Sequence, residues 1–237
     1  MSDLIAVAHG TADPRGIRVV HELVRLMARQ RPDIPMSLGF VDVDLPALPD
    51  LTRRVVADSN HAVLVPLLLS TGYHVTTDLG NETLRHHGKL TSAPALGPDP
   101  VLADILATRL QELPPRAVFG RVDHVVLAAA GSSDVRALAD CVEMGRLVGE
   151  RIDRPVTVGY VSGVGRRLPE VLRETRGRLA VASYLLAPGF FHSLVRRYAG
   201  GRPVSEPLGA DPRLAALALR RYDEAESLLT VSARAGS

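Results

Sequence analysis

Leu4-Ile5-Ala6-Val7-Ala8-His9-Gly10-Thr11-Ala12-Asp13 runs from an apolar stretch into a turn. Val125-Val126-Leu127-Ala128-Ala129-Ala130-Gly131-Ser132-Ser133-Asp134 runs the same way 121 residues later, with Ala130 where His9 stood. A short apolar run that ends in a glycine turn reads as a parallel strand covered on both faces. Because the run occurs twice, the chain reads as two copies of one α/β unit.

The matching continues outward from these stretches. Gly39-Phe40-Val41 and Leu48-Pro49-Asp50 return as Gly159-Tyr160-Val161 and Leu168-Pro169-Glu170. The run from Ala62 to Leu68 leads to Gly72-Tyr73-His74, and Ala180 to Leu186 leads to Gly189-Phe190-Phe191-His192. Leu96-Gly97-Pro98-Asp99-Pro100 is answered by Leu208-Gly209-Ala210-Asp211-Pro212. Four blocks in one order, at an offset that narrows only from 121 to 112 residues, mean duplication of a domain-sized unit. The expected division is 1–115 and 116–237, with the helix-stopping pair Pro114-Pro115 before Arg116 at the join.

Strands alternate with helices in each copy. Leu4–Ala8, Ser37–Val41, Ala62–Leu69 and Thr91–Ala95 read as strands. Helices are expected from Asp13-Pro14 onward, over Pro49–Asp58, over Thr76–His87, and from Asp99-Pro100 to Leu113. Asp caps a helix start and Pro fits its first turn, where the missing N–H costs nothing. Val19, Val20, Leu23, Val24 and Met27 give the first helix one apolar stripe. The second copy repeats this order from Val125 to about Glu224, and the small polar tail from Val231 to Ser237 reads as frayed. The fold class is therefore α/β, with two tandem parallel sheets, helices on both faces and a pseudo-two-fold relation. Ligands of such folds bind outside the carboxyl ends of the strands, where His9 and His74 both fall.

Composition narrows the function classes. A net charge of +2 with no basic cluster interleaved with aromatics gives no footprint for nucleic acid. Apolar residues are 46% of the chain, yet no run is long enough for a membrane span and the start lacks a signal-peptide pattern. A cytoplasmic protein without nucleic-acid or membrane partners is the expectation. The single Cys141 reads as a core thiol. His21, His61, His124 and the adjacent pair His86-His87 read as structural or surface groups, and Arg166-Arg167 as solvated charge. The loop Gly10-Thr11-Ala12-Asp13 matches neither nucleotide-binding glycine pattern.

Ala8-His9-Gly10-Thr11, taken with Pro66-Leu67-Leu68-Leu69-Ser70-Thr71-Gly72-Tyr73-His74-Val75-Thr76-Thr77-Asp78, resembles the sirohydrochlorin chelatases of the CbiX and SirB type. The resemblance covers almost the whole chain, and it rests on two histidine motifs 65 residues apart together with the duplication. It implies a lyase that inserts Fe²⁺ or Co²⁺, with Ni²⁺ also in range, into sirohydrochlorin or a related tetrapyrrole. The work would serve siroheme or cobalamin synthesis, without ATP or an organic cofactor. The metal is then a substrate, and His9 and His74 are the metal-handling pair. Neutral imidazole suits these ions and lets them go, whereas a full set of thiolates would retain them. If the segment after His74 is helical, Asp78 falls one turn on, where it can orient the imidazole or accept a pyrrole proton.

The second copy lacks the pair. Aligning His192 with His74 puts Arg196 opposite Asp78, whereas aligning Gly189 with Gly72 puts Phe191 opposite His74. A carboxylate-rich macrocycle favours arginine. Ser132, His192 and Arg196, with Arg197 beside it, are accordingly the expected substrate-binding residues of the second half. A related non-catalytic carrier of tetrapyrrole or metal is the other class in play. The fused chain implies two lobes facing across a cleft, and a monomer that needs no second copy.

Overall fold

The computed structural model describes residues 2–59, 61–72, 77–113 and 119–235, with side chains described as far as Leu228. The first sheet is built of β1 (Asp3–Ala8), β2 (Met36–Phe40), β3 (Ala62–Pro66) and β4 (Leu90–Ser92). All its ladders are parallel, in the order β2-β1-β3-β4. The register runs from Leu4↔Met36 to Ala8↔Phe40 on one side of β1, and from Asp3↔Ala62 to Val7↔Pro66 on the other. Leu4 through Ala8 are all buried, as continuous apolar strands covered on both faces must be.

The second sheet has only three strands, β5 (His124–Ala129), β6 (Val156–Tyr160) and β7 (Leu179–Tyr184), in the order β6-β5-β7. The segment matching β4 still runs beside β7 but makes one isolated bridge, Val181↔Val204. Pro203 and Pro207 flank that bridge, and proline has no N–H to give a ladder.

The helices are α1 (Pro14–Gln30), α2 (Leu48–Asp58), α3 (Leu79–Arg85), α4 (Pro100–Gln111), α5 (Val135–Ile152), α6 (Leu168–Glu174), α7 (Phe190–Ala199) and α8 (Pro212–Ala235). The expected caps are present. Asp13 accepts the Arg15 N–H at 2.9 Å, and Asp99 the Val101 N–H at 3.0 Å. Val20, Leu23 and Met27 form the buried stripe of α1, while Val19 and Val24 lie half-buried at its border. On one face of the first sheet, Ile5, Val7 and Leu64 pack with Leu48, Leu51 and Val56 of α2 and Leu79 of α3. On the matching face of the second, Val126, Ala128 and Val181 pack with Leu168, Val171 and Leu172 of α6 and Val195 of α7.

The compact units are not the two halves of the sequence. One is Met1–Leu96 with Pro212–Ser237, and the other is Gly97–Asp211. Each copy's last helix thus covers the other copy's sheet: α8 packs on α1, β3 and β4, and α4 packs on α5 and β7. Tyr222 of α8 donates to the Ser2 carbonyl at 2.5 Å, and Arg31, the C-cap of α1, pairs with Asp223 at 3.0 Å. Arg109 of α4 donates to the Leu208 carbonyl at 3.0 Å. The compact units thus differ from the sequence repeats expected at 1–115 and 116–237, whose Pro114-Pro115-Arg116 join lies outside the described residues. Helix α8 also runs on to Ala235, past the point where the tail was expected to fray. Neither Gly nor Pro interrupts it before Gly236, and Ala and Arg favour helix.

Candidate metal-handling site

In the order β2-β1-β3-β4 the chain leaves β1 toward one side and later returns on the other. That reversal is the switch point at which open parallel sheets bind ligands. His9 is the first residue beyond β1 and is exposed there. Its carbonyl accepts the N–H of Asp42 at 3.1 Å, which stitches the loop after β2 to the loop after β1. The Asp44 carboxylate then accepts the Thr11 N–H at 2.7 Å. Gly10, at φ +98°, permits this close approach, since a Cβ there would stand 3.2 Å from both the Asp42 carbonyl oxygen and the Asp44 carboxylate. Thr11 Oγ1 accepts the Asp13 N–H at 3.2 Å, and the Arg15 side chain holds the Asp13 carboxyl at about 2.

Asp42 therefore carries an exposed carboxylate beside His9. The sequence reading passed over Asp42 and Asp44. The signal available was an acidic pair directly after a predicted strand, next in the sheet to the histidine strand. Histidine nitrogen with carboxylate oxygen is a donor set that suits Fe²⁺ and Co²⁺. His74 lies outside the described residues. Among the described residues, no three His, Cys, Asp or Glu side chains converge on one cation position.

Asp78 stands at the N-terminus of α3 with helical backbone angles and makes no side-chain capping bond. It lines a cavity of about 180 Å³ with Val41, Leu48, Pro49, Asn81, Glu82 and Arg85, next to the carboxyl end of β2. Glu82, which sequence reasoning also missed, is 3% exposed in the wall of that cavity. It accepts from Thr52 Oγ1 at 2.7 Å, pairs with Arg85 and has His86 Nε2 at 3.8 Å.

The corresponding edge of the second unit keeps the backbone and changes the chemistry. Gly131 repeats the turn at φ +93°, and the Val161 and Ser162 N–H groups donate to the Ala129 and Ala130 carbonyls at 2.9 and 2.8 Å. Ser132 Oγ accepts the Asp134 N–H at 3.0 Å, the same bond that Thr11 makes, which leaves its hydroxyl proton to donate elsewhere. Ala130 packs against the apolar cluster under α6 and α7.

Two of the residues expected to hold substrate are placed differently. His192 is 5% exposed, with Nδ1 3.0 Å from Ser183 Oγ of β7, so its ring points into the unit. Arg196 lies seven residues past Gly189, about 10 Å along α7 from the carboxyl edge, and pairs with Glu206 at 3.2 Å. His192 is therefore buried against the penultimate residue of β7, and Arg196 sits about one turn further along α7. Cys141 is buried as expected, and burial pushes its thiol up to about 12.

The model of the CbiX family matches residues 3–113 and again 124–225. The chain belongs to the CbiX family. A double match on one chain is what duplication requires, and single-copy relatives agree with it. The sirohydrochlorin cobaltochelatase of Methanosarcina barkeri (strain Fusaro / DSM 804) is 29% identical over 122 residues, covering 94% of its own length and 46% of this chain. Solved structures extend the likeness to the whole fold. SirB from Bacillus subtilis with Fe³⁺ superposes at TM-score 0.75 and 20% identity, over 94% of this chain and 95% of that one. The sirohydrochlorin chelatase SirB from Bacillus subtilis subspecies spizizenii, in complex with cobalt, gives 0.76 at 20% identity over the same shares. These two likenesses establish the shared architecture of two parallel sheets with helices on both faces. Within this family member, His9 and Asp42 occupy the edge of the first unit and have no counterpart donors on the second.

Proposed function

We propose that this chain inserts a divalent metal, Co²⁺ or Fe²⁺, into sirohydrochlorin or a closely related tetrapyrrole. The observation that supports the reading is that two exposed residues, His9 and Asp42, are joined backbone to backbone at the switch point of a CbiX-family sheet. The cobaltochelatase relative supports the same substrate class.

In this reading the ion is a substrate that stays only briefly. His9 and His74 supply neutral imidazoles, Asp42 supplies an oxygen, and the remaining coordination positions stay open to the ring nitrogens. Insertion exchanges two pyrrole protons for one divalent ion, so a base must take up the protons. We assign that role to the carboxylates of Asp42 and Asp78, while Asp44 accepts the Thr11 N–H. The reaction needs no nucleotide and no organic cofactor. We further propose that the protein works as a cytoplasmic monomer, without nucleic-acid or membrane partners. Among the described residues no helix is long and apolar enough to cross a membrane.

The test is anaerobic incubation of metal-free sirohydrochlorin with Co²⁺ or Fe²⁺, followed by absorbance against the rate without protein. Acceleration is expected with at least one ion, and His9→Ala and His74→Ala should each return the rate to background. A protein that binds the ring yet leaves the spontaneous rate unchanged is a carrier, and the proposal then fails.

A further inference from the structure

The carboxyl edge of the second unit exchanges ionisable donors for guanidinium groups. In register with the first unit, His9 becomes Ala130, Asp42 becomes Ser162 and Asp44 becomes Val164, which removes all three ionisable donors. Two positions further along the same loop, Pro46 becomes Arg166 and Ala47 becomes Arg167. The equivalence is structural, because the bridges Phe40↔Ala47 and Tyr160↔Arg167 are the same bridge in the two units.

Both edges expose apolar surface, the first at Val43 and Leu45 of the matching loop, but only the second combines it with aromatic rings and arginines. Val164 is 46% exposed and its N–H donates to the Ser132 carbonyl at 3.0 Å, so it lies beside the loop after β5. Val135, the first residue of α5 and three residues beyond Ser132, is 71% exposed. On the far side of β5, Phe190 and Phe191 open α7 at 71% and 39% exposure, with ring centroids 5.9 Å apart and planes tilted by 60°. Aromatic rings turned to solvent at a ligand-binding edge forfeit burial that the fold could have given them. Arg167 fixes the basic rim, since its Nη2 donates to the Val161 carbonyl at 2.7 Å and its Nη1 to the Gly163 carbonyl at 3.5 Å, which holds the guanidinium charge at this edge. Arg166 beside it is exposed and paired only at its tip with Glu174.

An apolar centre bordered by guanidinium groups complements a flat conjugated ring that carries carboxylates at its rim, and it repels a cation. We infer that the carboxyl edge of the second unit, through Phe190, Phe191, Val164 and the Arg166–Arg167 pair, is the surface that recognises the macrocycle. This rests on the chelatase reading and assigns recognition to residues other than His192 and Arg196. Phe190, Phe191 and Arg166 are binding residues in this scheme, distinct from the metal-handling groups of the first unit.

The experiment measures equilibrium binding of metal-free sirohydrochlorin by its fluorescence, and steady-state KM and kcat, on the full chain. Phe190→Ala with Phe191→Ala is expected to raise both Kd and KM about tenfold, with the loss on KM rather than kcat. Phe190→Trp with Phe191→Trp should restore tight binding. Arg166→Ala should raise KM about threefold and weaken its dependence on salt. His9→Ala provides the contrast, with kcat lost and ring affinity kept. The phenylalanines are exposed, so the variants should melt with the parent protein, and a matched Tm verifies that they are folded. Unchanged Kd and KM in the folded double variant overturns the inference while leaving the chelatase reading intact. If light scattering shows a dimer that the double variant breaks at unchanged ring affinity, the patch joins two copies of the chain and the inference is equally overturned. If the parent chain neither binds nor metallates sirohydrochlorin, the chelatase reading itself falls and takes this assignment with it.

Discussion

The loops that follow β1 and β5 share a backbone and differ in nearly every group they offer to solvent. Both turn through a glycine at positive φ, 98° at Gly10 and 93° at Gly131. Both place a hydroxyl under the helix start, and both cap that helix with an aspartate held by an arginine two residues on. Yet one loop carries His9 beside Asp42 while the other carries Ala130 beside Ser162. Turn and cap residues answer to the fold, which both copies still need. The outward residues are free of that demand, and on the proposed reading only the first copy needs metal donors.

The largest effect expected from breaking this comparison comes from the helix exchange. A chain cut after Asp211 lacks α8, which covers α1, β3 and β4 of the first unit. It should lose the cooperative unfolding of that unit while the second unit melts as before. Hydrogen exchange read separately on β1 and β5 checks this, and equal protection of the two strands would contradict it.

Next in size is the asymmetry of function. His9→Ala should lower kcat/KM about 100-fold or more, whereas Ala130→Ser at the matching place should leave it within about twofold. Steady-state assays of the two variants side by side read the difference directly.

The two turn glycines should also separate. A Cβ on Gly131 would stand 2.0 Å from the Ser162 carbonyl oxygen, while one on Gly10 would meet its nearest neighbours at 3.2 Å. Gly131→Ala should therefore cost about 3 kcal/mol or more, and Gly10→Ala about 1–2 kcal/mol, both carrying the positive-φ penalty. Urea unfolding measures each. Equal costs would mean that the second loop gives way more easily than its close approach to residue 162 suggests.

The smallest effect is an alkaline one, read here on the second unit. Burial pushes Cys141 and Tyr160 up to about 12 each. Above pH ~9 the unfolded thiol releases its proton while the folded one keeps it, so stability falls as pH rises from about 9 toward 12. Tm against pH should bend downward over that window, and Cys141→Ala should flatten part of the slope. The same burial should keep a thiol-reactive reagent from Cys141 until the unit unfolds.

Much of this molecule was legible in the chain. Apolar runs such as Leu4–Ala8, the Asp13 and Asp99 caps and the four repeated blocks specified parallel strands, helix starts and duplication. The exposed edge position of His9 followed from its place after a strand. Asp42 and Asp44 follow a strand legible in the sequence, but only the sheet order sets that strand beside the one that ends at His9, 33 or 35 residues away. The burial of His192 and the ion pair of Arg196 with Glu206 were not legible for a related reason, since an alignment counts residues whereas α7 rotates and climbs with each one.

Periodicity and capping act between near neighbours along the chain, so the sequence by itself determined the elements, their order and the existence of two copies. Only the tertiary structure decided which sheet each terminal helix covers. The apolar face of α8 would suit either sheet, because burying hydrocarbon is non-directional and carries no address. Tyr222 on Ser2 and Arg31 on Asp223 supply that address, and such bonds exist only once distant segments have met.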